Sequence, residues 1–197
     1  YLAGEPGLFE SLAVPVAFRD LKDVEWAQEA IGHLASRNVL KGFEDGSFRP
    51  LEKVSREQLV TMLLMTFYPN FEAAPATFTD VPEQAWFAPF VGAAEQMGIT
   101  GGIGEGLFGA GTPISRQDMA VLADKIALKA GIVMNPRPDL ARIVFADADA
   151  ISAYAVGSVE RLRAAGIVAG KPDGRFGPQD SCTRAEAAVI IYGLIKE

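Results

Sequence analysis

The chain has 197 residues, 49% of them apolar, and a formal net charge of −7. That length suits one large or two small domains, and the apolar share is ample for a buried core. With no basic stripe or arginine-rich helix it lacks the electrostatic footprint of a nucleic-acid binder, and its apolar runs fall short of the roughly 20 residues that span a bilayer.

The one cysteine, Cys182, forbids an internal disulfide and leaves the compartment undecided. The chain starts at Tyr1 rather than at Met, so a processed or excised piece is expected. Residues 1–17, with Pro6, Gly7 and Pro15, show no helical period. Leu8, Phe9, Leu12, Val14 and Val16 make them too apolar for a free tail, so a lead-in arm packed on the body is expected.

From Phe18 a frame begins that occurs three times. Phe18-x-Asp20 leads to Trp26, Ala27, Ala30, Ile31 and Leu34, spaced as one face of a helix that Asn38 stops. The connection from Val39 to Val54 carries Gly42, Asp45-Gly46 and Phe48-Arg49-Pro50, and is long enough for a functional loop. Ser55-Arg56-Glu57-Gln58 then starts a second helix whose buried face is Leu59, Met62, Leu63, Thr66 and Phe67. After a link broken by Pro69 and Pro75 the frame returns as Phe78-x-Asp80, Trp86, Gly98, Gly102, Glu105-Gly106, Phe108-Gly109-Ala110 and Ser115-Arg116-Gln117-Asp118. Its second helix has Met119, Leu122, Ala123, Ile126 and Ala127 on the same face. A link with Pro136 and Pro138 precedes the third copy: Phe145-x-Asp147, Tyr154, Gly166, Gly170, Asp173-Gly174, Phe176-Gly177-Pro178 and Thr183-Arg184-Ala185-Glu186. Ala187, Ile190, Ile191, Leu194 and Ile195 close the pattern. Three helices with one equivalent apolar face invite a shared core.

The recurring arginine follows a Ser or Thr suited to cap a helix, with Gln58, Asp118 or Glu186 as capping-box partner and Asp118 the poorest match. Arg56, Arg116 and Arg184 therefore stand at the first helical position, among backbone donors and positive dipole, a place for an anion. The rival role is a salt bridge from each to Asp20, Asp80 or Asp147. Those acids either tie down loop backbone or meet a ligand. Trp26, Trp86 and Tyr154 read as core from their spacing, or as a platform for a ligand. Gly42, Gly102 and Gly170 serve turn geometry or the approach of a ligand. His33, the sole histidine, sits mid-helix with no cue for a nucleophile. Cys182 precedes a cap that would favour thiolate, yet reads better as a small filler. The acid–glycine pairs lack EF-hand spacing, so at most weak calcium binding is expected, and no cofactor.

The order Phe-x-Asp, Trp-Ala, Ala-Ile, glycine turn, Asp-Gly-x-Phe-x-Pro, Thr-Arg-Ala-Glu resembles the S-layer homology domain, as three tandem copies over Phe18 to Ile195. Only the third copy holds Thr-Arg-Ala-Glu in full. The second has Ala110 for Pro and Glu105 for Asp, and the third has Tyr154 for Trp. The resemblance implies a mainly α fold, a pseudo-threefold trimer of helix-loop-helix repeats with a central three-helix bundle and grooves between repeats. The repeats are set at 18–67, 78–130 and 145–197, forming one integrated domain. It also implies a non-enzymatic, extracellular module that anchors a surface protein to the cell wall through secondary cell-wall polysaccharide with a terminal pyruvylated sugar, or through a peptidoglycan-linked glycan. Membrane insertion is not expected. The implied ligand-binding set is Arg56, Arg116, Arg184, Gly42, Gly102, Gly170, Trp26, Trp86, Tyr154, Asp20, Asp80 and Asp147. An arginine fork matches a ketal carboxylate with two parallel hydrogen bonds. The competing readings are a protein-binding helical repeat scaffold with an apolar groove, and a glycan-active enzyme, for which no facing pair of acids is marked out.

Overall fold

Each second helix begins where its cap was expected. In the computed structural model, which describes residues 17–196, the Ser55 hydroxyl accepts from the Gln58 N–H, and the Gln58 side chain accepts from the Ser55 N–H. Thr183 and Glu186 exchange the same pair of bonds. Ser115 accepts from the Asp118 N–H, but Asp118 is shorter and its carboxylate turns to other partners. The helices are α1 (Gln28–Ser36), α2 (Arg56–Phe67), α3 (Ala88–Gln96), α4 (Arg116–Lys129), α5 (Ala153–Ala164) and α6 (Arg184–Lys196), with 3₁₀ turns at Glu25–Ala27 and Ala148–Ala150. The chain is thus mainly α, and no helix among the described residues is long and apolar enough to cross a membrane. The expected lead-in arm lies, but for Ala17, outside the described residues.

The helices end as the sequence led one to expect. Asn38, Gly98 and Gly166 take left-handed backbone with φ of 59°, 73° and 79°. The loops that follow are drawn into tight turns, closed by N–H to carbonyl bonds from Phe43 to Ser47, Ile103 to Leu107 and Lys171 to Arg175, each 2.8 Å. Beneath each turn lies the phenylalanine that opens its repeat. A methyl group on Gly42 would come within 2.3 Å of the Phe18 ring, one on Gly102 within 2.2 Å of the Leu107 carbonyl, and one on Gly170 within 2.6 Å of the Phe145 ring. Closeness inside the repeat therefore already requires glycine at these three places.

Asp20, Asp80 and Asp147 hold the far limb of the same loops. Asp20 accepts from the Phe48 and Arg49 N–H groups, Asp80 from those of Phe108, Gly109 and Ala110, and Asp147 from those of Phe176 and Gly177, at 2.7 to 2.9 Å. The anchored Phe48, Phe108 and Phe176 are wholly buried.

Just before each second helix the chain runs extended, and these three stretches meet. Lys53 bridges Thr183, Ser55 bridges Pro113, and Ser115 bridges Ser181. The Val54 N–H donates to the Cys182 carbonyl, the Cys182 N–H to that of Ile114, and the Ile114 N–H to that of Val54, all at 2.9 Å. The hydrogen bonds close a ring, and its three side chains are buried. Downstream, α2, α4 and α6 touch one another, while α3 packs on α2, α5 on α4 and α1 on α6. The shared apolar face is the one anticipated: Leu59, Leu63, Met119, Leu122, Ala123, Ile126, Ala187, Ile190 and Ile191 all lie in the core, with Thr66, Phe67 and Ile195 half-buried at its margin.

The aromatics at the first helices do not follow the core reading. Ala27, Ala30, Ile31 and Leu34 are buried, but Trp26 is 58% exposed, Trp86 59% and Tyr154 61%. Trp26 lies in the 3₁₀ turn and Trp86 ahead of α3, so the helical period does not extend back to them. Tyr154 lies inside α5, yet the buried face there is Ala155, Val159 and Leu162, one residue round from it.

The acid anchors make the fold sensitive to acid. Burial alone would raise the carboxyls of Asp20, Asp80 and Asp147, but the main-chain donors outweigh it and hold all three below the ordinary value of 3.8. A depressed folded-state pKa contributes stability that is present above the unfolded value and lost as pH falls through the folded one. The urea midpoint is expected to be flat from pH 7 to 5 and to drop below about pH 4. Asp80→Asn, which cannot accept three bonds as a carboxylate does, should cost about 1–3 kcal/mol at pH 7. A D80N protein as stable as its parent would exclude this role.

Candidate functional site

The first turn of each second helix faces the next repeat around the ring, and most of its backbone donors are already used. The Arg56 N–H donates to the Thr112 carbonyl, that of Arg116 to Asp180 and that of Arg184 to Glu52, at 2.9 to 3.1 Å, and the following N–H groups of Gln117 and Ala185 reach Pro178 and Pro50. This corrects the expectation of free donors at the helix start. Neighbouring carbonyls take the place that an anion was expected to fill, which leaves the arginine side chains as the cationic groups at the junctions.

Those side chains all enter junctions between repeats, over equivalent rings: Arg56 over Phe108 at 5.5 Å, Arg116 over Phe176 at 5.2 Å and Arg184 over Phe48 at 4.5 Å. None among the described residues pairs with Asp20, Asp80 or Asp147, so the salt bridges weighed from sequence do not form. The available carboxylate is the capping residue of the next repeat, and the three junctions differ there. Arg116 is sealed: its Nε donates to the Phe176 carbonyl at 2.7 Å and its Nη1 grips Glu186, leaving the side chain 7% exposed. The Arg184 Nε donates to the Phe48 carbonyl and its Nη2 to that of Lys41, each at 2.9 Å. The capping position that would offer it an acid is Gln58, neutral and committed to Ser55.

Arg56 is the exception. Its side chain is 8% exposed, yet its Nη1 stands 3.6 Å from Asp118 and its Nη2 3.5 Å from the Gly102 carbonyl, both at the outer limit of contact. Its Nε is buried with no partner, where the other two donate to a phenylalanine carbonyl. Burial weighs against the guanidinium charge and Asp118 only partly offsets it.

Arg56 lines a cavity of about 400 Å³ bounded by the loop from Ile99 to Ile103, by Asp118, Val121, Leu122 and Lys125 of α4, and by Tyr154. Arginine, glycine loop and aromatic from three different repeats thus converge at one place. The Tyr154 hydroxyl donates to Asp118 and accepts from Gln117, both at 2.8 Å, and burial followed by Asp118 raises its pKa. Gln117 also holds Ser152 at the start of α5, fixing the ring's position. From sequence, Asp118 and Glu186 had been read only as caps and Lys125 had been passed over. The spacing of 118, 121, 122 and 125 along one helical face was the available signal.

Of the other candidates, Gly42 and Gly170 lie against the rings of Phe18 and Phe145, and the Asp20, Asp80 and Asp147 carboxylates are occupied by main-chain donors. Trp26 and Trp86 present open surface, Trp86 edge-on to Phe87. Cys182 is fully buried, which drives its thiol pKa up, so the cap does not activate it. His33 is half-buried against Tyr192, with its pKa lowered mainly by burial. No group of three or more metal-ligating side chains converges among the described residues.

Known proteins share this frame. The model of the S-layer homology domain matches residues 17–60, 77–120 and 144–188. The chain is 33% identical over its whole length to the exoglucanase XynX of Acetivibrio thermocellus, covering 18% of that protein. It is 32% identical to the amylopullulanase of Thermoanaerobacterium thermosulfurigenes over 91% of the chain and 10% of the relative. It is 29% identical to the S-layer protein sap of Bacillus anthracis over 91% of the chain and 21% of the relative. The chain thus spans about a fifth or less of these relatives.

The sealed junction gives a stability test. Glu186→Gln keeps a capping side chain, as Gln58 shows, but leaves Arg116 without its acid; a loss of about 1–3 kcal/mol in urea unfolding is expected, between surface and buried ion pairs. An unchanged midpoint would mean that the pair contributes nothing.

Proposed function

The chain belongs to the S-layer homology domain family, an anchoring module of cell-surface proteins, and on that premise we propose that it holds its parent protein to the cell wall by binding an acidic glycan, with a terminal pyruvylated sugar of the secondary cell-wall polymer as the ligand. The fold is taken as a pseudo-threefold trimer of repeats around a central bundle of α2, α4 and α6, with one groove at each junction. The closed hydrogen-bond ring and the mutual contacts of these helices support that reading. The repeats at 18–67, 78–130 and 145–197 act as one domain, since each second helix is capped by a loop of the next repeat.

One observation carries the ligand assignment: Arg56 is buried beside an open cavity with an unpaired Nε and only long contacts for its other nitrogens. Buried donors in native proteins are paired, and a ketal carboxylate entering from the cavity supplies the missing acceptor to a fork built for it. Tyr154 offers its exposed ring to the apolar face of the sugar, and the turn at Gly101 and Gly102 lets the glycan lie close to backbone. Trp26 and Trp86 are the equivalent exposed platforms at the other junctions. Of those junctions, Arg116 is neutralised from within, whereas Arg184 lacks an acid and is a weaker second site. An apolar groove for a partner protein finds no counterpart in a cleft where Arg56, Asp118, Lys125 and Tyr154 meet.

Capture of the chain on purified cell-wall polymer tests this. Arg56→Ala should weaken capture roughly 10- to 100-fold, the worth of one charge-assisted hydrogen-bond pair, with the fold intact by circular dichroism. Arg116→Ala should leave capture within about twofold of the parent while lowering the melting temperature. Removing the pyruvate groups from the polymer should abolish capture. Equal capture by the R56A protein would remove Arg56 from the site, and persistence after depyruvylation would overturn the acidic-sugar assignment.

A further inference from the structure

The Arg56 cavity differs from its equivalents by a second cation. Lys125 lines it on α4, at the position held by Met65 in α2 and Gly193 in α6. It is exposed, and no carboxylate stands within 4 Å of its ammonium group among the described residues. Asp118 and Lys125 lie on one face of α4, seven residues apart, which at 1.5 Å rise per residue is about 10 Å along the groove floor. The groove therefore runs along α4 from Asp118, where Arg56 of α2 reaches it, to Lys125 nearly two turns on, with Val121 and Leu122 between them. A single sugar covers roughly half of that distance. The one acid in the lining, Asp118, is held by Tyr154 at the Arg56 end, so the far end is purely cationic.

Resting on the reading of Arg56 as the carboxylate-binding residue, we infer that Lys125 is a specificity-determining residue that binds a second anionic group, on the sugar adjoining the terminal one, so that this groove selects a glycan carrying acidic substituents on two adjoining sugars. Arg56 takes the terminal carboxylate through its planar fork. Lys125 acts as a point charge and accepts carboxylate or phosphate alike. The apolar stretch at Val121 and Leu122 spaces the two contacts and faces the carbon skeleton between them. The other two junctions, with methionine or glycine at this position, have no such preference.

Three synthetic probes and two proteins decide the matter by calorimetry at low and moderate salt. The probes are the methyl glycoside of a pyruvate-ketal hexose, a disaccharide with that ketal on a neutral second sugar, and the same disaccharide bearing a carboxylate or phosphate on the second sugar. The parent should bind the doubly acidic disaccharide about fivefold more tightly than the singly acidic one, the worth of one exposed ion pair. Lys125→Met, which copies the residue of repeat one at an exposed place, should reduce that ratio to about one. Salt should weaken the doubly acidic probe less in the variant than in the parent. A parent that does not prefer the second charge, or a variant that keeps the preference, overturns the role of Lys125 alone. If no probe binds the parent, the carboxylate reading of Arg56 falls and takes this inference with it. The carboxylate and phosphate forms of the third probe show which anion the groove favours.

Discussion

Three backbone hydrogen bonds, from Val54 to Cys182, Cys182 to Ile114 and Ile114 to Val54, are the constraint on which the remainder of the molecule rests. They join segments that belong to different repeats and lie far apart in chain order, and each repeat donates to one neighbour while accepting from the other. Such a ring cannot be opened at one point without stranding a donor and an acceptor in the core. It fixes where the second helices start, and so brings α2, α4 and α6 into contact. It also explains the coupling of repeats: the loop of one unit supplies the carbonyls that satisfy the first turn of another's helix.

The ring also decides the character of the candidate site. Because the helix-start donors are spent on neighbouring loops, each arginine leans across its junction over a buried phenylalanine and meets whatever caps the next helix. A glutamate there closes the junction, as between Arg116 and Glu186. A shorter aspartate, drawn off by Tyr154, leaves Arg56 half-satisfied beside open space. A glutamine leaves Arg184 resting on carbonyls. One backbone frame thus yields three electrostatic environments, and the difference lies in a single side-chain position. In an interior where an unpaired charge is costly, that position governs whether a junction satisfies its arginine from within or leaves part of it unpaired.

The Phe-x-Asp pairs and the glycines show how little of this frame is spare. Asp20, Asp80 and Asp147 stitch the phenylalanine loops to the start of their own repeats, and Gly42, Gly102 and Gly170 let the turn close over the opening aromatic ring. These residues were candidates for ligand contact by their recurrence, and they support the groove from behind. Gly102 does both, since its carbonyl also faces Arg56.

The amino-acid sequence by itself determined the threefold frame, the helix caps at Ser55, Ser115 and Thr183, the stops at Asn38, Gly98 and Gly166 and the apolar faces of the second helices. Those features depend on hydrogen bonds and periodicities within a few residues, which are written in local order. Tertiary structure alone decided that Trp26, Trp86 and Tyr154 face outward, that the helix-start donors are occupied, and that Asp118 and Glu186 answer to the distant Arg56 and Arg116. It alone brought Lys125 to the same cavity as Arg56. Each of these depends on which repeat packs against which, and in a chain of three similar units the local sequence is nearly the same whichever neighbour a side chain meets.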